Sequence, residues 1–198
     1  MNPPIQVFPD FATSMFHRQI SETVANFNMP WALRPSTMYP GYIPPASAPQ
    51  SYEAPQFIHP IYDDFRPVSN LSTLVDTISW LLSVKHNIYT GKIHRSKINL
   101  NTPAPHIPDG GHYMPHIDTS IPHIVALYYI NDSDGDTLFF QDKDGAFEEF
   151  MHVTPQANTM VCFDGSIFHA AQPPRKSPIR LAINTVYLQD EKEIEIQT

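Results

Sequence analysis

The first residues whose types and spacing could do chemistry are His116-Ile117-Asp118. On an extended chain, residues two apart face the same way, so this imidazole and carboxylate stand side by side, as two ligands of one metal must. H-x-D alone is a weak pattern, because most instances lie on surface strands or in turns. A second histidine strengthens it: His169 closes the run Val161-Cys162-Phe163-Asp164-Gly165-Ser166-Ile167-Phe168. Two histidines and one carboxylate on one face of an octahedral metal leave three positions open, an arrangement suited to iron(II) and oxygen chemistry. Arg180, at the start of the last apolar stretch, adds a rigid fork of donors matched to a carboxylate. A bidentate 2-oxo acid would fill two open positions and dioxygen the third, with the arginine holding the acid's far carboxylate.

Such ligands need a scaffold of strands. After His86 the pattern predicts strands over Lys92–Leu100, His112–Asp118, Ile121–Ile130, Thr137–Phe140, Val153–Pro155, Asn158–Phe163 and Arg180–Leu188. Turn signals separate them at Pro108-Asp109-Gly110-Gly111, Asn131–Asp136, Asp142–Gly145 and Asp164-Gly165. Short strands with no helices between them indicate an antiparallel sandwich or jelly roll. Upstream, Phe11–Phe27 reads as a helix with Phe16, Ile20 and Val24 on one face. Ser69–Val84 reads as a second helix, capped by Asn70 or Ser72, with Leu74, Ile78 and Leu81 or Leu82 apolar. From Pro30 to Pro67 the chain is crowded with prolines and also carries Trp31, Tyr39, Tyr42, Tyr52, Phe57, Tyr62 and Phe65. Linkers are usually poor in large rings, so this stretch is expected to be an extended arm docked on a core.

Residues 1–198 are therefore expected to form a single, mainly β domain. Residues 1–67 would supply a helix and the Pro-rich arm, 68–91 a supporting helix, and 92–190 the β-core, with the N-terminal helices packed on its outside.

Apolar residues make up 41% of the chain and charged ones 16%, enough to bury a core. A net charge of -8 argues against a general affinity for nucleic acid or anionic membrane, although Lys92 to Lys97 and Arg175-Lys176 are local basic clusters. Cys162 is the single cysteine, so no intrachain disulfide forms, and its apolar strand predicts a buried, inert thiol. No apolar run is long enough for a membrane helix, and Met1-Asn2-Pro3-Pro4 lacks a secretory signature, so a cytoplasmic location is expected.

The segment from Ile93 to Leu188 resembles the iron(II)/2-oxoglutarate-dependent dioxygenase superfamily, in its prolyl 4-hydroxylase-like branch. The matching blocks are Tyr113-Met114-Pro115-His116-Ile117-Asp118, Leu127-Tyr128-Tyr129-Ile130-Asn131, Gly135-Asp136-Thr137-Leu138-Phe139-Phe140, Phe163-Asp164-Gly165-Ser166 with His169, and Arg180-Leu181-Ala182-Ile183-Asn184. The resemblance implies a double-stranded β-helix, with His116, Asp118 and His169 on iron(II) and Arg180 on the 5-carboxylate of 2-oxoglutarate. Tyr129 matches a position that often supports that carboxylate, and Tyr113 matches a frequent pocket tyrosine. The implied reaction consumes 2-oxoglutarate and dioxygen, releases succinate and carbon dioxide, and hydroxylates a C–H bond. Related halogenases carry a small residue in place of Asp118, so the aspartate favours hydroxylation. A prolyl or other residue of a peptide or protein is the implied substrate, with free amino acids and similar small molecules close behind. One departure is that Asp136 and Thr137 follow a single Gly135, where this branch often has Gly-Gly-x-Leu.

Other readings have weaker supports. A cupin-type enzyme not using 2-oxoglutarate would draw ligands from two histidine-rich motifs, which the single H-x-D fits less well. An inactive jelly-roll interaction module would keep the shape alone. His112 reads as a solvated strand-end histidine, His106 as exposed, and His123 as either a satisfied core histidine or a pocket residue. Asp132, Asp134 and Asp136 read as a hairpin turn, because Lys143 stands where a calcium loop requires glutamate.

Overall fold

The computed structural model describes residues 5–26, 28–37, 50–88, 90–143 and 146–189. In chain order the elements are β1 (Ile5–Phe8), α1 (Ser14–Val24), β2 (Ala32–Arg34), β3 (Gln56–Asp63), β4 (Arg66–Pro67), α2 (Ser72–His86), β5 (Lys92–Asn101), β6 (His123–Tyr129), β7 (Thr137–Lys143), β8 (Ala146–Val153), β9 (Thr159–Asp164), β10 (Phe168–Ala171) and β11 (Arg180–Leu188). The larger sheet runs β1-β9-β6-β11-β5-β3-β2, with β4 beside β3, and the smaller runs β10-β7-β8. Every ladder is antiparallel. This is the expected jelly-roll β-core.

Side-chain alternation assigns each face of the larger sheet. Val125, Leu127 and Tyr129 of β6 pack with Phe139, Phe163 and Ala182 in a core between the two sheets. Their neighbours Ala126, Tyr128 and Ile130 join Ile20 and Val24 of α1 and Val75, Ile78 and Leu82 of α2 in a second core on the helix side. A strand apolar on both faces belongs in the middle of such a stack. Each fully buried aliphatic side chain there contributes about 1.5–3 kcal/mol.

Both helices are shorter or later than the periodicity predicts. The hydroxyl of Thr13 caps α1 by accepting from the Phe16 amide at 3.3 Å. Leu71 is the N-cap of α2 and lends no side-chain bond, so neither Asn70 nor Ser72 is the cap; the Ser69 hydroxyl accepts from the Leu71 amide instead. At its other end α2 stops on Asn87 in the left-handed region, with Lys85 and His86 in the last turn.

The stretch expected as a docked arm is partly woven into the sheet. β2 and β3 extend the larger sheet beyond β5, and Gln56, Ile58 and Ile61 are buried. Pro60 lies where the β3–β5 register shifts, a place that tolerates a residue without an N–H. Tyr39 and Tyr42 of that stretch lie outside the described residues. A second correction concerns His112–Asp118, which is extended but forms no regular strand. It makes two isolated bridges, Tyr52 with Tyr113 and His116 with His169. Pro115 interrupts the donors between them.

Asn158 ties the start of α1 to the β-core. Its φ of 63° is one that asparagine tolerates better than most residues. Its side chain accepts from the Ala12 amide and donates to the Ala12 carbonyl, each at 2.9 Å, and accepts from the Tyr128 hydroxyl at 3.0 Å. Asn158→Ala is expected to cost about 2–4 kcal/mol, because buried partners lose their bonds and a left-handed alanine is strained. Urea denaturation of the variant measures this.

Candidate metal centre and co-substrate pocket

His116 and His169 meet as a hydrogen-bonded antiparallel pair, each amide donating to the other's carbonyl at 3.0 Å. Residues directly opposed in such a pair project to the same side, and the two rings lie 4.7 Å apart between centroids. Asp118, two residues beyond His116, adds its carboxylate to this side: Oδ2 is 3.6 Å from Nε2 of His169. The three residues singled out in the sequence are thus brought together, through a bridge rather than a strand.

The hydrogen bonds fix which atoms face inward. Nδ1 of His116 bonds the Met114 carbonyl at 3.0 Å, and Nδ1 of His169 bonds the Ile167 carbonyl at 3.2 Å. A carbonyl only accepts, so each Nδ1 carries the proton and each Nε2 presents a lone pair. Oδ1 of Asp118 is engaged by Arg95, whereas Oδ2 is buried without a hydrogen-bond partner. Among the described residues, no three His, Cys, Asp or Glu side chains already stand close enough together to hold a metal ion. The donor set nevertheless suits a divalent metal: two imidazole lone pairs and one unsatisfied carboxylate oxygen.

Protonation agrees with that chemistry. Burial lowers His116, and burial followed by the charge of His116 lowers His169 to about 4. Burial by itself would raise Asp118, but His169, Arg95 and His116 together hold it well below the usual carboxylate range. Neutral imidazoles beside an ionised carboxylate are what metal binding requires.

Arg180 lies deeper in the same cavity and is 2% exposed. Nε donates to the Gly135 carbonyl and Nη2 to the Thr137 hydroxyl, both at 2.8 Å. The Tyr129 hydroxyl is hydrogen bonded to that same Thr137 oxygen at 2.7 Å, and the guanidinium carbon lies 5.5 Å from the Tyr129 ring centroid. Tyr113 also lines the cavity; its hydroxyl is buried without a partner, and burial pushes it up to about 12. Val125, Leu127 and Phe163 supply apolar walls.

Residues 104–188 match the model of the 2OG-Fe(II) oxygenase superfamily. This part of the chain belongs to that superfamily. The match spans 85 of the chain's 198 residues and takes in His116, Asp118, His169 and Arg180. The whole fold is similar to a prolyl-4-hydroxylase of Pseudomonas putida, at 14% identity and a TM-score of 0.58, covering 96% of this chain and 94% of that one. It is also similar to a prolyl hydroxylase of Trichoplax adhaerens solved with a hypoxia inducible factor peptide, at 16% identity and a TM-score of 0.58, covering 100% and 88%. HygX of Streptomyces hygroscopicus, solved with nickel and 2-oxoglutarate, matches at 11% identity and a TM-score of 0.56, covering 95% and 84%. No curated protein is similar enough to the chain to count as a relative.

Several residues around this candidate site escaped sequence reasoning. On β5 the side chains facing the site are Arg95, Lys97, Asn99 and Asn101, paired across β11 with Val186, Asn184, Ala182 and Arg180. A polar residue at every second position of a strand otherwise suited to a core is the signal that could have revealed them. Thr137 and the Gly135 carbonyl were passed over because their role rests on a contact with Arg180. His112 is a correction: it is 9% exposed, bonds the Tyr113 carbonyl and packs 5.1 Å from Phe140, so it is not solvated. His123 is buried with Nε2 unpartnered, and His106 bonds the Glu53 carbonyl from an exposed position. Asp134 accepts from the amides of Arg175, Lys176 and Ser177, so that acidic turn clasps the loop before Arg180.

Gly135 has no room for a side chain. A Cβ there would lie 2.6 Å from the Gln172 carbonyl oxygen and 3.2 Å from Cδ of Arg180. Gly135→Ala is expected to cost about 1–3 kcal/mol by overpacking this clasp. A shift of the denaturation midpoint without a change in slope checks it.

Proposed function

We propose that the protein hydroxylates a C–H bond of a prolyl or other amino-acid residue, or of a small amino-acid-like molecule. In this reading His116, Asp118 and His169 hold iron(II), and Arg180, with Tyr129 and Tyr113, holds 2-oxoglutarate. One observation carries it: two imidazole Nε2 lone pairs lie beside a buried carboxylate oxygen that has no hydrogen-bond partner. The two prolyl hydroxylases among the structural neighbours, one with a peptide, support the amino-acid class of substrate.

Bound iron supplies oxidative decarboxylation of 2-oxoglutarate to succinate and carbon dioxide, coupled to oxygen insertion into the substrate. The chain's own part is orientation and shielding. Arg95 fixes the carboxylate of Asp118, as outer partners of metal ligands do. The Met114 and Ile167 carbonyls fix both imidazole tautomers. Gly135 and Thr137 aim the Arg180 fork, and the apolar walls exclude water from the reacting groups.

Adding iron(II) and 2-oxoglutarate without oxygen is expected to produce a visible charge-transfer band, lost in both His116→Ala and Asp118→Ala together with succinate formation. Iron-dependent succinate release retained by both variants would falsify the ligand assignment. Arg180→Lys keeps a charge but loses the fork, and should raise the 2-oxoglutarate concentration for half-maximal succinate release about tenfold or more. An unchanged requirement removes Arg180 from the anchoring role.

A further inference from the structure

Unmet buried polar atoms border the metal pocket, and iron(II) with 2-oxoglutarate would satisfy only some of them. Oδ2 of Asp118 suits a cation, and the Tyr113 hydroxyl is a donor that a carboxylate oxygen can accept from. The amide oxygens of Asn99 and Asn184 are different. Both side chains line the pocket, and neither Oδ1 has a hydrogen-bond partner. Asn184 is 8% exposed, so bulk water gives it little relief. An amide oxygen needs an N–H or O–H donor. Ionised 2-oxoglutarate carries acceptors alone and supplies neither.

Strand register sets both amides on a way in to the metal. Asn184 on β11 is opposite Lys97 on β5 and Leu127 on β6, and Lys97 is opposite Pro60 on β3. In the next row Asn99 is opposite Ala182 and Ile58, and Ile58 is opposite Ala32 on the edge strand. The two asparagines are therefore diagonal neighbours on one face, about 7–8 Å apart. Ala32, Ile58 and Pro60 line a second cavity of about 220 Å³, which shares Thr37, Gln56 and Lys97 with the metal pocket. Along β11, Asn184 falls between Arg180 and Val186, and Val186 is opposite Arg95, the partner of Asp118. At about 3.3 Å per residue it is about 13 Å from Arg180 but only about 7 Å from Val186. It thus lies toward the Asp118 end of the pocket, away from the proposed carboxylate anchor.

We infer that Asn184 and Asn99 are substrate-positioning residues, whose amide oxygens accept N–H donors of a substrate entering over Ala32, Ile58 and Pro60. The inference rests on the proposed oxygenase reading and narrows its substrate to a molecule with a secondary amide N–H close to the oxidised carbon. A neutral donor fits because Lys97 is directly opposite Asn184, and an ammonium donor would stand beside a second ammonium. A molecule of the same shape without that N–H leaves buried acceptors unmet, so the pair discriminates strongly against it.

The test keeps the two readings apart. Wild-type protein is first loaded anaerobically with iron(II) and 2-oxoglutarate and examined for the charge-transfer band. Absence of the band sinks the oxygenase reading and this inference with it. With the band present, calorimetry on the loaded protein compares a panel of N-acetyl-L-amino acid N-methylamides with two sets of counterparts. One set is methylated at both amide nitrogens, and the other lacks the acetyl group and carries an ammonium. The best-binding secondary amide is expected to bind at least about tenfold more tightly than either counterpart. Asn184→Leu should reduce its preference over the methylated form to about threefold or less, which a merely steric effect of the added methyl groups would not do. The same variant should keep the band, with half-saturation by 2-oxoglutarate within about twofold of wild type. Asn184→Thr, which retains an accepting oxygen, should restore part of the preference. Circular dichroism establishes that each variant folds, and Asn99→Leu takes the place of Asn184→Leu in the same comparison where the latter does not. Equal binding of secondary and methylated amides leaves the asparagines to water and overturns the inference, as does binding by no member of the panel. Tighter binding of the ammonium forms, or a preference untouched by Asn184→Leu, overturns it too. Loss of the band in a folded Asn184→Leu also overturns it, by placing the amide in the metal or co-substrate site.

Discussion

A carboxylate removed from water must be met by positive charge, and the Asp118 side chain is 2% exposed. Its surroundings follow from that constraint. Arg95 takes one oxygen, and the two histidines face the other side. The second oxygen is reached by no protein hydrogen bond, and in the proposed reading a metal cation completes its balance. The sheets make this possible because neither of the two elements involved is free to drift. His116 and His169 are locked by a reciprocal backbone pair, and His169 is held on β10 against β7.

The same constraint accounts for the position of β5. A strand carrying Arg95, Lys97, Asn99 and Asn101 on one face is costly in an ordinary core. Here Ile98, fully buried on its other face, packs on the helix side, while the polar face lines the two cavities. β11 runs beside it and contributes Arg180 and Asn184 to the same lining, with Ala182 between them opposite Tyr129. A small residue at that point leaves room above the sheet for the pocket. Apolar and polar rows thus alternate for functional reasons, and the β-core is stabilised mainly by its outer face and by the contacts of β6 with β7 and β9.

Much of this was legible because side-chain alternation survives where regular pairing does not. His116 and Asp118 share a side on an extended chain whether or not a ladder forms, so the expected juxtaposition needed no knowledge of Pro115 or of the isolated bridge. Arg180–Leu188 was legible to the residue, since six of its nine residues are apolar and fall on both faces, which leaves a central strand as their stable place. The edge strands were not. β2 has three residues, all exposed, and its pairing with β3 depends on register rather than on any apolar pattern. Prolines and rings at high density therefore read as an arm, although part of the stretch is sheet.

Roles carried by a contact between distant segments were illegible for a different reason. Thr137 matters through Arg180 and Tyr129, and Gly135 through a carbonyl that any residue would have possessed. What selects glycine is the closeness of Gln172 and Pro174, which belong to the loop clasped by Asp134. The three aspartates of that turn looked like surplus charge in the sequence. In the fold, Asp132 accepts from the Ala157 amide and Asp134 from three amides leading toward Arg180. The acidic turn thereby sets the position of Arg180, the cation proposed to hold the co-substrate's carboxylate, and links the exposed hairpin to the buried pocket through ordinary backbone hydrogen bonds.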